Sequence, residues 1–188
     1  MNGATIKAVI EEHPLAGRFF LGVYAADTLP LHLPHKPALL VANCQGRSEP
    51  GDHWVAMAFD VESRGVYFDS FGRPPSMVAA HQKFLDLNCS SWTYNKERYQ
   101  ADTSRICGHY VVSYLIHVAL SDFTSTQFPF PLSFPTKLDM NWNDRFVLEH
   151  YIKILFTCKN WQEMLQYHQN NEINPTYVLG SSAQLAIN

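Results

Sequence analysis

The stretch from Gln100 to His117, QADTSRICGHYVVSYLIH, constrains this chain more than any other part of it. It begins as a polar loop, and the residues after Cys107 and Gly108 are largely apolar, with the spacing of a buried helix. Cys107 therefore stands at or just before a helix N-terminus, where unpaired backbone N–H groups and the helix dipole favour a thiolate. Upstream, Gln100 carries an amide that can donate to an oxyanion beside the sulfur. A cysteine that opens a buried helix is more often a small core residue, so catalysis requires a base elsewhere.

His53 is the candidate base. It lies in the segment GDHW at 51–54, at the mouth of the apolar segment WVAMAF at 54–59, which predicts a buried strand. A histidine at a strand end beside a glycine turn can be reached by solvent yet is held by the sheet. It can therefore titrate near neutral pH and accept a thiol proton. The structural alternative is a strand-end histidine without a catalytic role.

Asp69 closes the next predicted strand, at 66–68. If this strand and WVAMAF form a hairpin across the turn DVESRG, Asp69 and His53 lie within about three residues of register, at about 3.4 Å per residue. A carboxylate in that position can orient the imidazole and stabilise its charged form. The alternative is that Asp69 only forms the turn before Gly72.

The length of 188 residues predicts one domain over 1–188 with a core of its own, and the polar tail from about 171 is expected to be loosely ordered. The sequence contains no apolar run long enough for a membrane span. The N-terminal MNGATIKAVIEEH lacks the basic and apolar regions of a signal peptide. We therefore expect no membrane partner.

The four cysteines form no CxxC pair, which indicates a reducing, intracellular setting and argues against a structural zinc site. We expect no metal. The net charge of −3 does not favour binding to nucleic acid.

The local patterns predict an α+β fold, with a small mixed or antiparallel central sheet flanked by helices. Ser76 is the expected N-cap of the second helix. We predict strands at 19–24, 38–43, 54–59, 66–68 and 92–94, and helices over 6–12, from Ser76 to about 87, from Cys107, and over 144–156.

Taken in order, these residues resemble the adenovirus-type (adenain-like) cysteine proteases, which are related to the SUMO- and ubiquitin-like-protein proteases. The order is His-Trp, an acidic residue that ends the next strand, Gln, and Cys-Gly opening a helix. FLGVY at 20–24 resembles the family's FLGxY, PHK at 34–36 its PHK, and FDSFG at 68–72 its FEPFG with Asp for Glu. The Gln-to-Cys spacing is also the family's. The resemblance covers roughly residues 6 to 122.

This resemblance implies a cysteine-protease fold in which Cys107 is the nucleophile and His53 is the general base and acid. Asp69 would orient His53, and Gln100 with the Cys107 backbone N–H would form the oxyanion hole. Trp54 would pack near the imidazole, or would be a core aromatic of its strand.

Cys89 stands where adenovirus-type enzymes carry the cysteine that forms a disulfide with a short activating peptide from a capsid protein. The alternative is a buried free thiol. The family's enzymes are basic and use DNA as a cofactor, which the mild acidity of this chain does not favour. The chemistry itself requires no cofactor.

The resemblance implies a cysteine endopeptidase of a virus or virus-like element. It would cleave capsid or core precursor proteins near small residues such as glycine, through a thioester on Cys107. We would expect it in the host nucleus or cytoplasm and packaged in virions. One alternative is an isopeptidase that removes SUMO or ubiquitin-like modifiers, and another is a non-catalytic relative with a capsid or binding role.

Overall fold

The computed structural model describes residues 1–124 and 140–158, together with residues 160, 162, 163 and 166. It contains one five-stranded sheet whose strands lie side by side in chain order. The strands are β1 Phe20–Tyr24, β2 Ala38–Asn43, β3 Trp54–Phe59, β4 Arg64–Phe68 and β5 Ser91–Tyr94. The α-helices are α1 Gly3–Glu12, α2 Ala79–Asn88, α3 Cys107–Leu120 and α4 Met140–Leu155.

The sheet is mixed, which is one of the two arrangements that the sequence left open. The three inner strands β2, β3 and β4 pair antiparallel, whereas the edge strands β1 and β5 pair in parallel with their neighbours β2 and β4. The expected hairpin forms between β3 and β4, and Ala56 lies opposite Phe68. The α+β class is therefore confirmed.

Helices cover both faces of the sheet and create two hydrophobic clusters. Leu39 and Val41 of β2 belong to the cluster that contains residues of α1, α3 and α4. The alternate residues Ala38, Leu40 and Ala42 belong to the cluster beneath α2. Because successive side chains point to opposite faces, a strand covered on both faces must be apolar throughout. This explains why ALLVAN and WVAMAF lack an alternating polar pattern.

Helix α3 is the central helix of the larger cluster. Nearly all of its side chains are buried, and Phe68 of β4 stacks on Tyr114 at a ring-centroid distance of 4.5 Å. A helix that is apolar around most of its circumference is typical of a core position. The packing of α3 against the sheet fixes the location of its first residue, Cys107, relative to the ends of the strands.

The expected N-cap role of Ser76 is wrong. Pro75–Met77 forms a separate short 3-10 turn, and α2 begins only at Ala79, with Val78 as an N-cap that makes no side-chain hydrogen bond. The N–H groups of Met77 and Val78 donate to the carbonyls of Pro74 and Pro75, each three residues earlier in the chain. Those bonds close a turn around Ser76, and the helix begins only after this turn.

Four other elements begin earlier than expected. Helix α1 begins at Gly3 rather than at residue 6, and β5 begins at Ser91 rather than at residue 92. Strand β4 begins at Arg64, because Arg64 and Gly65 already pair with Ser91 and Trp92 of β5. Helix α4 begins at Met140 rather than Asp144. No helix in the described part of the chain is long and apolar enough to cross a membrane. The tail from 171 lies outside the described residues.

Candidate active site

His53 and Asp69 meet at the end of the β3–β4 hairpin. His53 immediately precedes β3 and Asp69 immediately follows β4, and His53 Nε2 lies 2.8 Å from Asp69 Oδ1. Both side chains are almost fully buried. Because a carboxylate only accepts hydrogen bonds, Nε2 carries the proton in this contact and Nδ1 is left to face a thiol. The expected proximity of the two residues is thus confirmed by the observed register.

The turn after β4 holds the Asp69 carboxylate in place. Asp69 Oδ1 also accepts the backbone N–H of Phe71 at 2.7 Å, and the N–H of Gly72 donates to the Asp69 carbonyl at 2.8 Å. Gly72 has a φ of +70°, and a Cβ there would lie 2.8 Å from the carbonyl oxygen of Glu97. Glycine is needed at this position for both its backbone conformation and its close contact.

Asn95 fixes the backbone of Asp69 from the neighbouring strand. Its Oδ1 accepts the Asp69 N–H at 2.9 Å, and its Nδ2 donates to the Asp69 carbonyl at 2.6 Å. Asn95 directly follows β5, whose Tyr94 lies opposite Tyr67 of β4. The sequence analysis missed this residue because its proximity to Asp69 depends on the parallel register of β4 and β5.

Phe71 is a second contact that the sequence analysis missed. Its ring lies 4.9 Å from the His53 ring, centroid to centroid, and the guanidinium groups of Arg73 and Arg98 lie 4.9 and 5.0 Å from the Phe71 centroid. The aromatic ring therefore lines one side of the imidazole. The FDSFG segment could have indicated this contact, since it places an aromatic residue two positions after the carboxylate of Asp69.

Cys107 is the first residue of α3 and is buried. Its thiol lies close enough to His53, and to the backbone N–H groups of Trp54 and Gly108, for these groups to lower its pKa. The first N–H groups of a helix have no partner within the helix, so the Cys107 N–H is available to an oxyanion. The structure thus brings Cys107, His53 and Asp69 together in one site, with His53 hydrogen-bonded to Asp69.

Opposite pKa shifts in Cys107 and His53 favour an ion pair. Burial alone would raise the pKa of the Cys107 thiol, but the hydrogen bond and charge of His53 outweigh it, and the pKa is lowered. Burial alone would lower the pKa of His53, but hydrogen bonds to Asp69 and Cys107 outweigh it, and the pKa is raised. The thiolate therefore persists to a lower pH than an ordinary cysteine allows.

The other three thiols have shifts in the opposite direction. Burial, followed by the nearby charges of Asp69 and Asp52, raises the pKa of Cys44 to about 12. Burial also raises the pKa of Cys89 and of Cys158, each to about 11. Cys44 is close to the site, since its N–H donates to the His53 carbonyl at 3.0 Å, but its thiol stays protonated.

Gln100 is tied to the residue that follows Asp69. The N–H of Gln100 donates to the Ser70 carbonyl at 3.0 Å, and its Oε1 accepts from Ser70 Oγ at 2.7 Å. Its Nε2 donates to the Ser104 carbonyl at 2.8 Å. An amide nitrogen has two protons, so one proton of Nε2 remains for a second acceptor.

Trp54 packs against the larger hydrophobic cluster, in line with its interpretation as a strand aromatic. Its indole Nε1 donates to the Met1 carbonyl at 3.2 Å. Within the described residues, no three His, Cys, Asp or Glu side chains lie close enough together to hold a metal ion.

Cys89 lies apart from the other predicted site residues. It lies two residues before β5, and a Cβ added to Gly65 near the start of β4 would lie 2.4 Å from its sulfur. Gly65 and Asp69 are four residues apart, which is about 14 Å along a strand. Lys36 of the PHK segment contacts the residue before Cys89, because its Nζ donates to the Asn88 carbonyl at the end of α2 at 2.6 Å.

Comparison with curated proteins identifies similar sequences in viruses. The chain is 39% identical over 68 residues to a protein named "Protease" from Human adenovirus E serotype 4, covering 36% of this chain and 33% of the relative. It is 46% identical over 55 residues to the "Protease" of Avian adenovirus 8, covering 28% and 26%. The resemblance to adenovirus-type proteases is confirmed.

A protein of Acanthamoeba polyphaga mimivirus, whose name describes a thiol protease, is 34% identical over 79 residues, covering 37% of this chain and 26% of the relative. The chain thus spans about a third or less of the length of the curated relatives it matches. No protein-family model matches the chain.

The pKa directions predict selective alkylation. At mildly acidic pH, iodoacetamide should label Cys107 well before the other three thiols, because the thiolate is the reactive form and Cys107 alone has a lowered pKa among the four. Peptide mass spectrometry after short labelling at several pH values measures the order of modification.

His53→Ala provides the matched control for that experiment. Without the imidazole, burial dominates and the pKa of Cys107 should rise, so its labelling should shift to more alkaline pH. Earlier labelling of Cys44, Cys89 or Cys158 in the unaltered protein would contradict the assignment of the nucleophile.

Proposed function

We propose that this protein is a cysteine endopeptidase of a virus or virus-like element. The observation that carries the proposal is the line formed by Cys107, His53 and Asp69 at the start of a buried helix. A thiol, an imidazole and an orienting carboxylate in that order are the parts required for nucleophilic acyl transfer. The similarity to viral proteins named as proteases supports the same conclusion.

In the acylation step, Cys107 Sγ attacks the carbonyl carbon of the scissile peptide bond. The oxyanion that forms accepts hydrogen bonds from Gln100 Nε2 and from the Cys107 backbone N–H. His53, which holds the thiol proton, gives it to the leaving amine nitrogen as the C–N bond breaks. The products of this step are a free amine and a thioester on Cys107.

In the deacylation step, His53 is neutral and can accept a proton from water. The resulting hydroxide attacks the thioester carbonyl, and the same two donors stabilise the second oxyanion. The C–S bond then breaks, the new carboxylic acid leaves, and the sulfur recovers its negative charge beside a protonated His53. Asp69 accepts the hydrogen bond of His53 Nε2 throughout and keeps the imidazole oriented.

The proposed substrates are capsid or core precursor proteins cleaved near small residues such as glycine. This extends the resemblance to adenovirus-type enzymes, as does the proposal that the enzyme acts inside the host cell and is packaged in virions. A SUMO or ubiquitin-like-modifier isopeptidase would share the same chemistry and also cut after glycine. Substrate tests must therefore separate the two.

Co-expression tests the proposal. With candidate structural precursors from the same genome, the unaltered protein should produce discrete cleavages near small residues, whereas Cys107→Ala should produce none because it lacks the nucleophile. Mass spectrometry of the precursor fragments locates the cleavage sites. Circular dichroism of Cys107→Ala confirms that the inactive control is folded.

A ubiquitin-like activity-based probe completes the test. The endopeptidase proposal expects little or no adduct on Cys107. A stoichiometric probe adduct on Cys107, together with precursors that remain uncleaved, would favour the isopeptidase instead. Neither an adduct nor cleavage, in a folded protein with a reactive Cys107, would favour a non-catalytic relative.

We also propose that an activating peptide acts at Cys89. The support lies in its position, two residues before the edge strand β5, whose outer side has no strand neighbour in the described sheet. An extended peptide can pair with such an edge through backbone hydrogen bonds, and a disulfide would make its attachment intramolecular. Because burial raises the pKa of Cys89, disulfide formation should be slow until the peptide is bound.

This regulation predicts low basal activity. A cysteine-bearing peptide from a partner protein should raise the turnover rate and increase the enzyme's mass by one peptide, reversibly with reductant. Cys89→Ser should abolish the mass increase and weaken activation without changing basal turnover. Full activity of the chain alone in reductant, unaffected by Cys89→Ser, would leave Cys89 as a core thiol.

A further inference from the structure

The residue before Gln100 is held by hydrogen bonds from α3 and α4. We propose that Asn143 of α4 and Tyr110 of α3 are positioning residues for the oxyanion-hole amide of Gln100. This inference rests on the proposed function, because it concerns the same site.

The first contact is at Tyr99, the residue before Gln100. Its carbonyl oxygen accepts from Asn143 Nδ2 at 3.0 Å and from Tyr110 Oη at 3.1 Å. A carbonyl oxygen has two lone pairs, so both donors can bind at once. Asn143 comes from α4 and Tyr110 from α3, so two helices converge on this one peptide group.

The second contact joins Tyr110 to Asp144 of α4, since Tyr110 Oη lies 2.9 Å from Asp144 Oδ1. A phenol has one proton, so Tyr110 donates to only one of these two oxygens, of Tyr99 or of Asp144, at a time. Asn143 and Tyr110 thus hold the peptide group before Gln100 from α4 and α3.

Ser70 and Ser104 complete the restraint on the side chain, as described above, by binding its Oε1 and Nε2. The amide plane is thus fixed from the end of β4, while the backbone is fixed from the helices. Loss of the helix contacts would let the loop shift while leaving Cys107, His53 and Asp69 supported by β3, β4 and α3.

Asn143 occupies its buried position at a cost. The side chain is fully buried, and its Oδ1 has no hydrogen-bond partner among the described residues. A buried polar atom without a partner is destabilising, and an apolar residue of the same shape would avoid that cost. What Asn143 contributes in this position is the Nδ2 hydrogen bond to the Tyr99 carbonyl, in the loop that carries Gln100.

The position of an oxyanion donor strongly affects the reaction rate. Such a donor must lie about 2.7–3.1 Å from the developing oxyanion. A misplacement of about 1 Å can cost about 100-fold in rate. A contact that moves Gln100 by a fraction of that distance should therefore lower kcat more than KM, since the oxyanion exists only in the transition state and the intermediate.

A double-mutant cycle tests the inference in the full-length chain. Gln100→Ala should lower kcat about 10²–10³-fold. Asn143→Leu, which keeps the side-chain size, should lower kcat about 10-fold with KM nearly unchanged. In the Gln100→Ala background, Asn143→Leu should have almost no further effect, because both changes act through the same amide. Rates are expressed per Cys107 thiol that reacts with iodoacetamide at mildly acidic pH. The ordinary thiols of unfolded protein react slowly there, so unfolded protein is not counted.

Asn141→Leu is the matched control, since it makes the same chemical change at an exposed position of α4. It should leave kcat unchanged. Tyr110→Phe is a second variant in case Asn143→Leu does not fold, and it should show the same loss of kcat and the same coupling to Gln100.

Three outcomes are distinguished. Wild-type kcat in both Asn143→Leu and Tyr110→Phe would overturn the inference. A loss of kcat from Asn143→Leu that is just as large in the Gln100→Ala background would also overturn it, because it would indicate an independent structural effect. Wild-type kcat in Gln100→Ala would refute the proposed oxyanion role itself and the inference with it.

Discussion

The hydrogen bond between His53 Nε2 and Asp69 Oδ1 joins the open ends of two neighbouring antiparallel strands. Its 2.8 Å length depends on the β3–β4 register, because a shift by one residue would point every side chain of a strand to the opposite face. The interior strands of the sheet are covered on both sides, which makes such a shift costly. The core thus holds the imidazole where a thiol can reach it.

Burial gives that pair its chemical properties. An isolated buried imidazolium or thiolate would be strongly disfavoured, so each would become neutral. Here Asp69 binds one side of His53 and Cys107 the other, and the helix start adds backbone N–H groups at the sulfur. These contacts outweigh burial at Cys107. At Cys44, burial and the charges of Asp69 and Asp52 outweigh that of Arg73, and the thiol stays protonated.

The sequence predicted the main elements well where its signals were local. Continuous apolar runs located β2 and β3 with their observed bounds, and the apolar pattern after Cys107 located α3. The features it missed depend on tertiary contacts. Asn95 reaches Asp69 only through the parallel register of β4 and β5, and the consecutive prolines before Ser76 diverted an otherwise plausible helix cap. Asn143 could not be recognised because its partner lies 44 residues earlier in the chain.

The charge state of His53 is the most direct test of the central claim, that Cys107 and His53 form a thiolate–imidazolium pair. NMR of protein with 15N-labelled histidine, assigned among the nine histidines with His53→Ala, measures whether one or both ring nitrogens are protonated. The expected result is a doubly protonated His53 ring at neutral pH that loses its charge at lower pH in Cys107→Ala than in the unaltered protein. A neutral ring at neutral pH, with a titration unchanged by Cys107→Ala, would contradict the claim.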